Sequence, residues 1–99
     1  MIVVTARETI KAKRKDILNI ASRHGASNIR VFGSVARGDE RNNSDVDLLI
    51  DVTGTPSAWF PTGLIRDLED LLGRRVEIVT EKALSQHLRD RVLTEAVPI

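Results

Sequence analysis

The sequence has 99 residues, 41% hydrophobic and 29% charged, with a net charge of +1. This is the balance of an ordinary globular domain, and it excludes a disordered chain or one whose overall charge draws in nucleic acid. Cysteine is absent, which excludes disulfides, thiolate metal sites and a cysteine nucleophile. With no apolar run near the ~18 residues of a membrane span and no signal-peptide pattern in the first eight residues, the sequence reads as soluble and cytoplasmic, without a membrane partner.

Thr5 followed by Glu8 is a capping-box pattern that opens a helix. Ile10, Ile17, Leu18 and Ala21 continue it at helical spacing, which predicts one helix from about Ala6 to His24, stopped by Gly25. Lys11, Lys13, Arg14 and Lys15 on that helix read as a solvated face, with a docking patch for an acidic or RNA-bound partner as the alternative. Ile29-Arg30-Val31-Phe32 is a short strand ending at Gly33. Gly33-Ser34 turns the chain into a short helix through Arg37, and a polar loop runs from Gly38 to Ser44. Asp45 to Val52 is a second strand, and Gly54, Pro56 and Pro61 bracket a loop. Leu64, Ile65, Leu68, Leu71 and Leu72 make an amphipathic helix ending at Gly73. Arg75 to Val79 is a third strand, and Ala83 to Ala96 reads as a final helix. No repeat or long linker divides the chain, so residues 1–99 are expected to form a single α/β or α+β domain, a small sheet with helices on at least one face.

The residues able to carry chemistry lie near the first two strands. Asp45 and Asp47, two apart on a strand, point to one face about 6–7 Å apart. Two such carboxylates repel, and one protonates unless a cation lies between them. A divalent magnesium or manganese ion resolves the conflict and keeps positions open for phosphate and water. Alone, Asp-x-Asp is a weak signal, more often the mark of two solvated strand-end aspartates. Gly33-Ser34 at the end of another strand adds a glycine that lets a phosphate approach the backbone, amides that favour anions, and a hydroxyl donor. Together these are the two halves of a triphosphate site. Glu77 alternates with Val76 and Ile78, opposite the core-facing residues. Asp51 shares the Asp45 and Asp47 face but lies a strand's length away, and His24 and His87 read as surface or cap residues.

Gly33-Ser34, ten intervening residues and Asp45-Val46-Asp47 resemble the motif of the DNA polymerase β-like nucleotidyltransferase superfamily. The longer strings Phe32 to Gly38 and Ser44 to Leu49 resemble its minimal nucleotidyltransferase branch. The resemblance implies a small mixed sheet of about three or four strands flanked by helices. It also implies two-metal phosphoryl transfer, with ATP as substrate and two Mg2+ ions. Asp45 and Asp47 would hold both ions, Gly33 and Ser34 would bind the β- and γ-phosphates, and Arg37 could reach a phosphate or serve an ion pair. Glu77 matches the family's third carboxylate, commonly an aspartate, and would ligate the metal that activates the acceptor or take the acceptor's proton.

Proteins of this branch are antitoxins paired with HEPN-domain ribonuclease toxins. The resemblance therefore implies transfer of AMP to a tyrosine of such a toxin, within a complex and without direct nucleic-acid binding. The chain has no tyrosine of its own, so the modification would occur in trans. Trp59, Phe60 and Pro61 are candidates for partner contact, core anchoring being the other reading. Two alternatives stay open: an antitoxin that acts by binding alone, motivated by glutamate at position 77, and a nucleotidyltransferase acting on a small molecule.

Overall fold

A computed structural model of the chain describes residues 4–39 and 44–99. Helix α1 (Ala6–Ala12) opens with the predicted cap: Thr5 Oγ1 accepts from Glu8 N at 3.1 Å and donates to Glu8 Oε1 at 3.3 Å. The single helix expected to reach His24 is divided. Lys13, at φ −106° and ψ 17°, leaves helical geometry between α1 and α2 (Arg14–Arg23). The backbone ladder continues across it, from Lys13 N to Thr9 O and from Ile17 N to Lys13 O, both at 3.0 Å. A one-residue change in backbone angle leaves the hydrophobic spacing intact, so periodicity does not register it. Ala6 and Ile10 before the break, and Ile17, Ile20 and Ala21 after it, all enter the core. Two members of the basic cluster are engaged inside the molecule: Lys13 Nζ donates to Leu71 O and Arg14 Nε to Ile99 O, each at 2.9 Å.

Four strands form one mixed sheet in the order β3-β2-β1-β4. Strand β1 (Ala26–Phe32) starts earlier than expected, through an irregularity between Ser27 and Arg30 where Asn28 takes φ +50°. After the five-residue helix α3 (Gly33–Arg37), β2 (Val46–Val52) runs antiparallel to β1. Strand β2 begins one residue later than expected, so Asp45 precedes it. The polar loop expected from Gly38 to Ser44 falls at 40–43 outside the described residues. Helix α4 (Thr62–Leu72) buries Leu64, Leu68 and Leu72 at steps of four and returns the chain to β3 (Val76–Thr80), parallel to β2.

The final helix is shorter than predicted, and a strand follows it. A 3-10 turn (Glu81–Ala83) comes first, and Ser85 caps α5 (Gln86–Glu95) by accepting from Leu88 N at 3.3 Å. Val97–Pro98 then form β4 against β1. Pro98 keeps Val97 extended, and an edge strand tolerates the missing N–H. Two residues are too short a run to be read as a strand from sequence.

The core lies between one sheet face and helices α1, α2, α3 and α4. Val46, Leu48 and Ile50 of β2 pack there with Leu64 and Leu68. Leu49 points the other way and is also fully buried, which shows that the second face is covered too. There α5 lies over the sheet and closes a cleft with Phe32, Asp47 and Val79. Among the described residues, no helix is long and apolar enough to cross a membrane. Leu48→Ala should cost about 2–5 kcal/mol, the usual loss for a large core side chain. Urea unfolding should show this as a lower midpoint at unchanged slope.

Candidate active site

The strand register assembles the site. Phe32, the last residue of β1, is paired with Asp47 of β2, and Asp47 is in turn paired with Glu77 of β3. One row across three strands thus brings Gly33, Asp47 and Glu77 together at one end of the sheet. Parallel neighbours in register stand about 4.8 Å apart, so the Glu77 carboxylate is close enough to act directly on that of Asp47. Burial first, then the hydrogen bond and charge of Glu77, then the charge of Asp45, push the Asp47 carboxyl from 3.8 up to about 6, against the opposing charge of Arg37.

Asp45 is near enough to act on Asp47, and Arg75 Nε lies 3.9 Å from Asp45 Oδ1. Among the described residues, no three acidic, histidine or cysteine side chains converge as a ready metal-ligand set. Of the two neighbouring carboxylates, Glu77 acts on Asp47 more strongly than Asp45 does. The donor chemistry fits a divalent ion: hard carboxylate oxygens crowded together, whose mutual repulsion a cation would relieve.

Gly33 is required by its surroundings. It adopts φ +73°, and a Cβ placed on it would collide with the Asp47 carboxylate. A side chain here would be strained and would also push Asp47 away. The Gly33 N–H points to Glu95, the last residue of α5, and donates to its Oε2 at 3.2 Å. Arg37 Nη1 donates to Glu95 Oε1 at 2.5 Å, and Arg37 Nε donates to Asp39 Oδ2 at 3.2 Å. These bonds, Glu95 first and Asp39 next, raise the guanidinium above its ordinary value. Ser34 follows Gly33 and is half-buried, but it is not among the residues that line the cleft. Glu95 was missed by sequence reasoning. It is 62 residues from Gly33 and sits in a helix with nothing local to mark it.

The cleft has a volume of about 340 Å³; Asp47, Glu77 and Arg37 supply charge, and Leu84, Leu88 and Val92 supply an apolar wall. Other residues singled out by the sequence lie elsewhere. Asp51, near the far end of β2, pairs with Arg30 Nη2 at 2.9 Å and accepts from Asn28 Nδ2 at 2.9 Å. His24 caps α2 and is mostly buried, with Nδ1 2.7 Å from Ser57 Oγ and Nε2 2.8 Å from Asp67 Oδ2. His87 is exposed. Phe60 packs against the core, whereas Trp59 is 79% exposed, so core anchoring holds for the first and fails for the second.

Two outcomes follow from this geometry. Gly33→Ala should lower stability by about 1–3 kcal/mol through backbone strain and the displaced carboxylate, and thermal unfolding measures it. For Asp47, the folded protein holds its proton more tightly than the unfolded chain does. Stability from this group is therefore present below about pH 4 and is lost as pH rises to about 6. Asn mimics the protonated form, so Asp47→Asn should stabilise the metal-free protein at pH 7 by about 1–2 kcal/mol, discounted because the group is only half-buried. Mn2+ should stabilise the wild type and not the variant; thermal melts with EDTA or Mn2+ decide both.

The chain matches the family described as nucleotidyltransferase domain over residues 13–99. It is 37% identical over 97 residues to the protein adenylyltransferase MntA of Thermococcus cleftensis, covering 98% of this chain and 96% of the relative. A solved structure described as a candidate minimal nucleotidyltransferase superposes with a TM-score of 0.81 at 46% identity, covering 94% and 95% of the two chains. A toxin–antitoxin structure with AMP-PNP shares the fold at a TM-score of 0.70 and 23% identity, over 85% of this chain and 69% of that one. The sequence match, the fold and the cleft agree: this chain belongs to the nucleotidyltransferase domain family and is a nucleotidyltransferase.

Proposed function

We propose that this nucleotidyltransferase is an antitoxin that transfers AMP from ATP to a tyrosine hydroxyl of a partner HEPN ribonuclease. The observation that carries the chemistry is the row Gly33, Asp47 and Glu77, which places an anion-binding amide beside crowded carboxylates. The choice of a protein acceptor is supported by the adenylyltransferase relative and by the toxin–antitoxin structure that shares the fold.

Gly33 N–H, Ser34 Oγ and the Arg37 guanidinium would bind the β- and γ-phosphates as charge-assisted donors. Asp45, Asp47 and Glu77 would hold two Mg2+ ions. When bound, these ions neutralise phosphate charge and lower the pKa of the acceptor hydroxyl. Glu77, on the exposed side of the pair, would ligate or take the acceptor's proton. The tyrosine oxygen attacks the α-phosphorus in line, the new O–P bond forms as the bond to the β-phosphate oxygen breaks, and pyrophosphate leaves. A glutamate at position 77 is consistent with this role, because it stands opposite Asp47 in the strand register and acts on its carboxyl.

The test is incubation of the chain with a HEPN toxin, Mg2+ and ATP labelled at the α-phosphate. Labelled toxin is expected with the wild type, and a loss on the order of 100-fold or more with Asp45→Asn or Asp47→Asn. Unlabelled toxin beside an active control adenylyltransferase would sink the reading.

A further inference from the structure

The two donors that the proposed function assigns to phosphate, Gly33 N–H and the Arg37 guanidinium, both hold the carboxylate of Glu95. Each Glu95 oxygen takes one of them: Oε2 accepts from Gly33 N at 3.2 Å and Oε1 from Arg37 Nη1 at 2.5 Å. Glu95 is only 18% exposed, so water competes weakly for these bonds. Its position is fixed from both sides. Val92, one turn earlier, is buried, and Val97, two residues later, is paired with Val31 of β1. None of that anchoring needs a carboxylate at position 95.

We propose that Glu95 is an internal latch on the phosphate cradle, an anion of the chain itself that an incoming polyphosphate must displace; this rests on the nucleotide reading above. Carboxylate and phosphate oxygens make the same charge-assisted bonds to an amide and a guanidinium, and the two anions cannot occupy one pair of donors. Release requires only rotation of the Glu95 side chain, because Val92 and β4 keep the end of α5 in place. Arg37 stays oriented after release, through its separate bond from Nε to Asp39 at 3.2 Å. Polyphosphate binding is thus an exchange of anions, and the observed affinity is the intrinsic one reduced by the fraction of chains with the latch open. The effect is selective, because a ligand without phosphates gains nothing from an open latch.

Calorimetric titration of the full chain, Glu95→Gln and Glu95→Ala with MgATP, tripolyphosphate and adenosine tests this. Both variants should bind MgATP and tripolyphosphate roughly three- to tenfold more tightly than the wild type, with adenosine unchanged. Glu95→Gln keeps the shape of the side chain and decides the matter should Glu95→Ala unfold. Equal or weaker polyphosphate binding by folded Glu95→Gln overturns the latch, as does an equal gain for adenosine. If the wild type binds MgATP and the variants bind it no better, the latch falls and the nucleotidyl-transfer reading stands. If no form binds MgATP or tripolyphosphate, both fall.

Discussion

Asp47 and Glu77 stand directly opposite one another on parallel strands, close enough for each carboxylate to feel the other's charge. Like charges at that distance separate unless the backbone forbids it, and here it does. Asp47 lies between Val46 and Leu48, both buried in the core, and Glu77 follows buried Val76. The hydrophobic packing that stabilises the sheet therefore also holds the carboxylates against their repulsion. Residues further out respond to that row: Gly33 lacks a side chain where the Asp47 carboxylate needs room, and Arg37 supplies opposing charge. The cost is a raised pKa and a site less stable without a cation than with one.

This arrangement separates what was legible in the sequence from what was not. Strand alternation placed Asp47 away from Val46 and Leu48, and Glu77 away from Val76, because period two is a local property of extended backbone. Gly33 could be singled out because a glycine at a strand end marks a position where a side chain is unwelcome. The pairing of Asp47 with Glu77 is different in kind. It depends on the register between two strands joined through α4, which no local pattern fixes. Proximity in sequence favoured Asp45 as the partner, yet Asp45 lies before β2 and faces Arg75. The same limit applies to Glu95, whose contact with Gly33 requires the whole chain to be folded. The break at Lys13 and the two-residue β4 escaped for a smaller reason: each leaves the hydrophobic spacing undisturbed.

The C-terminal segment gains weight from this comparison. In sequence, the segment from Ala83 to Ala96 reads only as a final helix. In the fold it forms one wall of the cleft, adds an edge strand to β1, and delivers a carboxylate to the Gly33 amide. The motif residues Gly33 and Asp47 lie in α3 and β2, with Asp45 just before β2, and supply only the floor of the site. The wall comes from α5, which is held through buried Val92 and through Val97 paired with β1.

On the proposed function, that wall also constrains the acceptor. The chain has no tyrosine, so the hydroxyl arrives from another protein and must reach Glu77 through the cleft between the sheet and α5. Trp59, the most exposed large apolar side chain among the described residues, lies in the loop after β2, while Asp47 is near the start of that strand. Five residues of extended backbone separate Asp47 from Val52, about 16 Å, and His24 ties the loop down at the far end through Ser57. A partner touching Trp59 while presenting its tyrosine to Glu77 must therefore span the length of the sheet. On that reading, recognition of the acceptor near the chemistry would fall instead to the rim of the cleft, where Leu84 and Leu88 of the C-terminal segment offer apolar surface. The same short segment would then face the acceptor with Leu84 and Leu88 and compete with the phosphates through Glu95, placing control of both substrates outside the motif by which the family is recognised.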